Sequence, residues 1–501
     1  MKVAIIGGGA AGISMGIALE RAGHDYTILE RSPEVGGTWH DNIYPGAACD
    51  VPSHLYCFSF APKPDWNRKF AHQPEIRAYL ASCVERYGLA PHLRLGTEVQ
   101  AAQFRDHQWH LRTSTGDLTA DAIVSGTGQL NRPNVPVLPG IAEFRGAQFH
   151  SARWPADYDP TGRDIVVVGS GASAIQIVPE IAKRARRVTV LQRTPPYLIP
   201  RHDREFRGWE KWMFAHVPLV RRWYRAFIYA RAESLFPALR QGSLTSRIVH
   251  WMAMRHLRKQ IADPALRAAL TPDYPIGCKR ILISDDWYPA LARDNVHLVT
   301  SPLERVTPDT IVTADTAAHP CDTVVYATGF DTTSFLAPID VVGRDGTHLA
   351  ETWKNGAEAH HGITVAGFPN LFLLYGPNTN LGHNSILFMI ECQVRYISRC
   401  LDELGRRGAR WLDITRDAMA DYNAKLQREL LHSVWNSCHN WYTTAGKITN
   451  NWSSRTTAYW WQNRKPKFDD YEFGIAEPSR DDVPLAIAPR AGDPPRVTDT
   501  P

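Results

Sequence analysis

Two short stretches limit the folds open to this chain. "KVAIIGGGAAG", Lys2 to Gly12, and "DIVVVGSGASA", Asp164 to Ala174, each run an apolar strand into a glycine-rich turn. After the first, "AGISMGIALERAG" has the apolar spacing of a helix and "YTILE", residues 26–30, reads as the next strand. That is a β-α-β unit of about 30 residues. The second stretch repeats the grammar, with "ASAIQIVPEIAKRA" as helix and "RVTVLQR" as strand. The fold class expected is α/β, with two Rossmann-like dinucleotide-binding domains.

Gly7, Gly9 and Gly12 give G-x-G-x-x-G between strand and helix. The first glycine makes the tight turn, the second lets backbone approach a pyrophosphate, and the third lets the helix close on the strand. The helix N-terminus then turns its positive end to the phosphates. Glu30 ends the second strand, where a carboxylate can bond a ribose hydroxyl. In the second unit Gly169, Gly171 and Ala174 take the same places, but Arg193 stands where Glu30 stood. A cation there suits a 2′-phosphate, so NADPH is expected over NADH. Ser173 and Gln176, at the helix start, are candidate cofactor contacts. One unit for FAD and one for NADPH describe an electron path from nicotinamide to flavin.

The bulk numbers set limits. For 501 residues, about 150 per domain predicts roughly three domains, and 44% hydrophobic residues supply their cores. A net charge of +5 does not suggest nucleic acid. The eight cysteines form no C-x-x-C pair, which argues against zinc ribbons, thioredoxin-type pairs and a dense disulfide framework. A reducing, cytoplasmic setting follows. A disulfide reductase would also need two nearby cysteines beside its flavin, and none are suitably spaced, which leaves oxygen as the common outlet. The N-terminus lacks a signal peptide's pattern, no apolar run reaches 18 residues, and the histidines form no H-E-x-x-H, so neither transmembrane segment nor metal is expected.

Between about 195 and 278 the texture becomes apolar and basic at helical spacing, an expected insertion in the second nucleotide domain. Its Trp-rich, basic helices read as a packed subdomain with a solvated basic face rather than a membrane-contacting one. The expected order is a first FAD part over 1–143, a linker at 144–155, and a first NADP part over 156–194. The insertion spans 195–278, a second NADP part 279–335, a second FAD part 336–464, and a flexible tail 465–501.

The linker "FRGAQFHSARWP", Phe144 to Pro155, places Gly146, His150 and Trp154 four residues apart and ends on proline. It matches, position for position, F-x-G-x-x-x-H-x-x-x-W-P, and so resembles the type I Baeyer–Villiger flavoprotein monooxygenases. "GGTWHDNIYPGAACD", 36–50, is similar to that family's second signature, and the likeness runs from residue 1 to about 461 through "GCKR" (277–280), "ATGFD" (327–331) and "WYTTAGK" (441–447). The resemblance implies that FAD and NADPH convert a small-molecule ketone and O2 into an ester or lactone through a C4a-peroxyflavin. It implies Arg280 as the active-site cation, Asp50 as the carboxylate that orients it, His150 and Trp154 as couplers of domain motion, and Trp441 as a loop residue closing over nicotinamide. Gly37, Thr38 and Trp39 fall on the flavin side. Thr194 and Lys279 join Arg193 on the NADP side. The loop "GPNTNLGHNSI", 376–386, falls at the flavin's isoalloxazine end, with His383 a contact rather than a base. A monomer or weak dimer is expected. The alternative is a flavin-containing monooxygenase acting on nitrogen or sulfur, which Trp154 and Arg280 disfavour.

Overall fold

The computed structural model describes residues 1–475. Its first half forms around β1 (Lys2–Ile6), α1 (Ala10–Ala22) and β2 (Asp25–Leu29). These build a five-stranded parallel sheet in the order Leu371–Leu373, Ala122–Ser125, β1, β2, Leu93–Arg94. Side chains alternate across a strand, so a sheet covered on both faces needs an unbroken apolar run. In β1, Val3 and Ile5 pack on Ile13 and Ile17 of α1, whereas Ala4 and Ile6 face Leu371 and Leu373 in a separate cluster.

The second half repeats this with β3 (Asp164–Val168), α2 (Ala174–Ile181) and β4 (Arg187–Leu191). The parallel order is Val296–Val299, β4, β3, Thr323–Tyr326, Ala147–His150. The outermost strand comes from the stretch read as a linker, so residues 147–150 are an edge of the second sheet. A side chain at Gly146 would lie 2.4 Å from the Asp322 carbonyl, which explains the glycine where this strand begins. Trp154 is buried edge-on against Phe149 and Tyr158, at 5.0 and 5.4 Å between ring centroids.

A parallel pairing of Leu198–Ile199 with Leu282–Ile283 closes the neck of the insertion. Within it lie α3 (Gly208–His216), α4 (Pro218–Ser234) and α5 (Leu244–Gln260). The break between α3 and α4 falls at Pro218, which takes the first helical position where its missing N–H costs nothing. After the insertion the chain returns to the first sheet, and α6 (Ile386–Arg407) lays Leu387, Ile390, Val394, Ile397, Leu401 and Leu404 into the cluster that holds α1. That spacing of three and four is one face of a helix.

The expected flexible tail needs correction at its start. Tyr471–Ile475 pairs antiparallel with Ala409–Ile414, and the buried Tyr471 hydroxyl meets that of Tyr396 at 2.7 Å. Two aromatics at alternate positions, Tyr471 and Phe473, mark a strand that the surrounding Pro, Asp and Arg obscure. Residues 476–501 lie outside the described ones. Among the described residues no helix is long and apolar enough to cross a membrane.

The insertion docks on the first half through His54. Its ring is buried against Phe214 (4.3 Å), Phe206 (5.3 Å) and Tyr224 (5.4 Å). Burial lowers its pKa to about 4, helped by Arg221, Arg225 and Lys63 and opposed by Asp65. The folded value lies below the ordinary 6.5, so the unfolded chain takes a proton the fold refuses. This stability is present above pH 6.5 and is lost as pH falls towards 4. In wild type the unfolding midpoint should drop between pH 7 and pH 5 by more than in a His54→Phe variant, followed by thermal denaturation; equal drops would place the acid sensitivity elsewhere.

Candidate active site

Both glycine turns are built as close approaches of backbone. A Cβ on Gly12 would sit 1.9 Å from the Gly7 carbonyl, so α1 can start this near β1 only with glycine there. Gly7 itself is at φ +107°, a region side chains avoid. Gly9 faces Gly37 across the turn, where a Cβ on Gly37 would lie 3.0 Å from Gly9, and Thr38 and Trp39 follow in a short helical turn. Glu30 is buried here and accepts from the Gly8 N–H (2.6 Å) and the Ser32 N–H (2.8 Å). A carboxylate has about four acceptor sites, so capacity remains for a hydroxyl. In the second turn Gly169 stands at φ +112°, while the space where Gly171 would carry a Cβ is open for 4 Å. The N–H groups of Ala10, Ala11 and Gly12 in α1 and of Ala174 in α2 open on these turns without a backbone partner, whereas those of Ile175 and Gln176 bond back to Gly171 and Ser173.

The two halves meet along residues 44–50. Gln176 accepts from the Tyr44 hydroxyl (3.0 Å) and donates to the Ala48 carbonyl (3.0 Å). Its amide thus joins the halves, although its position suggested a cofactor contact; Ser173 lies one turn earlier, at the helix cap. Gly46 approaches so closely that a Cβ would fall 2.5 Å from the Gln176 carbonyl. Arg201 donates to the Cys49 carbonyl at 3.1 Å. His150 is held by backbone on both sides: Nε2 meets the Gly329 carbonyl at 2.9 Å and Nδ1 accepts from the Ala152 N–H at 3.1 Å. Burial lowers its pKa despite the Gly329 bond, so the ring is neutral and braces the "ATGFD" segment.

Arg280 completes the junction. Its Nε donates to Asp50 at 3.1 Å, its Nη2 reaches the same oxygen, and its Nη1 lies 3.5 Å from the Leu381 carbonyl. The two side chains are 33% and 35% exposed, so they line an open cleft rather than a sealed core. Asp50 raises the Arg280 pKa further above its ordinary value. Burial pushes the Asp50 carboxyl up, but Arg280 outweighs it and leaves the group below the usual range. Tyr442 is close enough to sense the guanidinium, and burial pushes its phenol up to about 12. The neighbouring Lys279 turns away, its ammonium 4.7 Å from the Tyr274 ring. Burial and then the nearby exposed Arg193 depress its pKa, so two cations crowd one place beside Thr194 at the end of β4.

Spacing concealed two further elements. Glu233 of α4 is buried, yet its pKa falls to about 2, because donors outweigh desolvation. They are Asn384 Nδ2 (2.8 Å), the Thr456 hydroxyl (2.6 Å) and the Thr457 hydroxyl (3.1 Å), with His383 Nε2 at 3.3 Å. His383 therefore faces a carboxylate of the insertion. In the same loops Asn378 Oδ1, Ser385 Oγ, Asn450 Oδ1 and Asn451 Nδ2 are buried without a protein partner. Buried polar atoms normally find one, so these loops carry unspent hydrogen-bonding capacity. The second element is one that the cysteine spacing does not show: Cys278 and Cys438, 160 residues apart, form a disulfide. It ties the segment carrying Arg280 to the loop carrying Trp441, whose indole is 40% exposed. No sequence interval reports a contact made by folding across domains.

Two parallel dinucleotide sheets with a fixed cation at their junction define an oxidoreductase built to handle two nucleotides. A family model described as pyridine nucleotide-disulphide oxidoreductase matches residues 4–207. A Baeyer–Villiger monooxygenase of Streptomyces coelicolor is 43% identical over 500 residues, 98% of this chain and 96% of its own. One of Pseudomonas aeruginosa is 44% identical over 447 residues, covering 88% and 85%. Among solved structures, a steroid monooxygenase bound to NADP superposes with a TM-score of 0.85 at 29% identity, covering 95% of this chain and 100% of that one. A closed cyclohexanone monooxygenase gives 0.86 at 27% identity, covering 95% and 99%. The chain belongs to the type I Baeyer–Villiger monooxygenase family.

Peptide mapping without reductant should recover Cys278 and Cys438 in one linked species. Cys438→Ser should lower stability by about 2–4 kcal/mol, the usual range for a native crosslink, and speed proteolysis within 433–449 several-fold. Unlinked peptides from oxidised protein would contradict the pairing.

Proposed function

We propose that the protein binds FAD in the first crevice and NADPH in the second, and inserts one oxygen atom of O2 beside a ketone carbonyl, giving an ester or lactone. The cradles fit. Gly7, Gly9, Gly12 and Gly37 leave room for a pyrophosphate, Glu30 can accept a ribose hydroxyl, and the unpartnered atoms of 378–385 and 450–451 can meet a flavin's polar edge. When bound, the flavin supplies the oxygen-activating chemistry, by the C4a-peroxyflavin route the family resemblance implies. Gly169, Gly171, Ser173 and Ala174 admit the second pyrophosphate, while Arg193, Thr194 and Lys279 receive the 2′-phosphate.

The observation that carries this reading is the Arg280–Asp50 pair. Adding an oxygen nucleophile to a carbonyl builds negative charge, which a preorganised cation stabilises without reorganising at that moment. Guanidinium suits the place because it stays protonated and presents several donors. Asp50 takes the Nε edge and leaves Nη1, held only by a long contact to Leu381, free to turn to the reacting oxygen. His150 positions rather than reacts, since both ring nitrogens are engaged with backbone. Trp441, exposed on the crosslinked loop, would cover the nicotinamide, the role the family resemblance gives it.

Arg280→Ala should cut ester or lactone formation about 10²–10³-fold, the scale for losing one oxyanion donor, while FAD stays bound and NADPH is still oxidised. Product per NADPH, read by gas chromatography on cyclic and linear ketones, is the measurement. Undiminished ester output, or oxygen transfer to amines and sulfides alone, would overturn the reading. Separately, Arg193→Ala should raise the KM for NADPH about 10–100-fold, the worth of one charged hydrogen bond, and leave that for NADH unchanged. Equal effects on both would remove Arg193 from the 2′-phosphate.

A further inference from the structure

The insertion was expected to pack its aromatics and leave a basic face in water. The structure divides it differently. On α4, Leu219, Trp223 and Phe227 follow at intervals of four and are 73%, 67% and 51% exposed, with the last two rings stacked at 5.7 Å. On α5, Leu244, Ile248 and Trp251, four and three residues apart, form a second stripe at 71%, 50% and 57%. Trp209 and Trp212 of α3, which packs on α4, are equally open. Scattered exposed apolar residues are ordinary; stripes of them on successive helices that both pack on the turn Phe236–Leu239 mark a binding surface.

The charge around them is one-sided. Residues 207–260 hold eleven Lys and Arg against two Asp and Glu, a net +9, whereas the whole chain carries +5 and the remainder therefore −4. Both acids are already engaged, Glu210 by Arg204 and Glu233 by the loops described above. Among the described residues Arg222, Arg231, Arg247, Arg255, Arg258 and Lys259 are exposed and make no salt bridge. A second copy docking through this face would set +9 against +9. An anionic partner is favoured. Tryptophan beside arginine on amphipathic helices is the composition of a membrane interface, where the indole sits at headgroup depth and long cations reach lipid phosphates.

We infer that the outer faces of α4 and α5 dock the protein on an anionic phospholipid surface. It binds there in the plane of the interface, since no described helix is fit to span. FAD-loaded protein should sediment with vesicles of phosphatidylcholine containing 30% phosphatidylglycerol. Binding should be at least about tenfold weaker on pure phosphatidylcholine, from about fivefold for each cation engaged, and weaker again in 0.5 M salt. Trp223→Ser with Trp251→Ser should reduce binding at least about tenfold while the thermal midpoint and NADPH oxidation rate hold, which separates docking from misfolding. No binding to anionic vesicles, equal binding to neutral ones, or unchanged binding by the double variant would overturn the inference. So would a wild-type dimer that Trp223→Ser dissociates, which would put a second copy on this face. The assay uses no ketone, so its failure leaves the proposed reaction standing.

Discussion

The contact between Arg280 and Asp50 joins residues 230 positions apart and closes the cleft where the two dinucleotide halves meet. Each partner is costly there without the other, because a charge at a partly desolvated junction needs a countercharge and further hydrogen bonds. The surrounding backbone supplies them. Residues 44–50 are gripped from the second half at three places, by Gln176 at Ala48, Arg201 at Cys49 and Arg280 at Asp50. The guanidinium is therefore fixed by the same contacts that hold the halves together, so its position is a property of the fold.

That coupling gives the edge strand 147–150 its meaning. A free connector would let the halves move independently, but this one is hydrogen-bonded into the second sheet along Thr323–Tyr326. His150 then continues beyond the strand to hold Gly329. Neutral imidazole can donate from one nitrogen and accept at the other, which no other side chain does from a single small ring. The His therefore reads as a backbone clamp of defined tautomer, and Trp154, packed on Phe149 and Tyr158, as the wedge that anchors it.

The legible parts of the chain were those whose physics is local. Glycine turns, the apolar runs of β1 and β3 and the acid-to-arginine exchange at the second strand end all express short-range constraints, so the α/β class and both crevices followed from them. Arg280 and Asp50 were found through family signatures; nothing in their local sequence distinguishes a turn aspartate from an orienting one. What escaped was long-range or directional. The Cys278–Cys438 bond spans 160 positions, and Glu233 looked like any acid on an amphipathic helix until its donors arrived from residues 384, 456 and 457. Helical spacing also cannot say which of two apolar stripes faces inward. The spacing reads α4 and α5 as a packed subdomain with a basic outer face; Ile228, Val249 and Leu257 are its buried residues, and Trp223 and Trp251 stand outside with the cations.

Glu233 shows why the insertion is more than an appendage. A buried carboxylate is tolerated only with several donors, and here they come from the loops at 383–384 and 456–457. The same loops meet α4 again through Tyr229, which bonds Thr456 at 2.9 Å, and α4 packs on the first half through Tyr224 against His54. One face of α4 is therefore committed to the loops that border the cleft while the opposite face stays unpartnered. A helix built in this way transmits position, not chemistry. Through Asn384 the ring of donors around Glu233 ties the insertion to the loop whose Leu381 carbonyl lies 3.5 Å from Arg280.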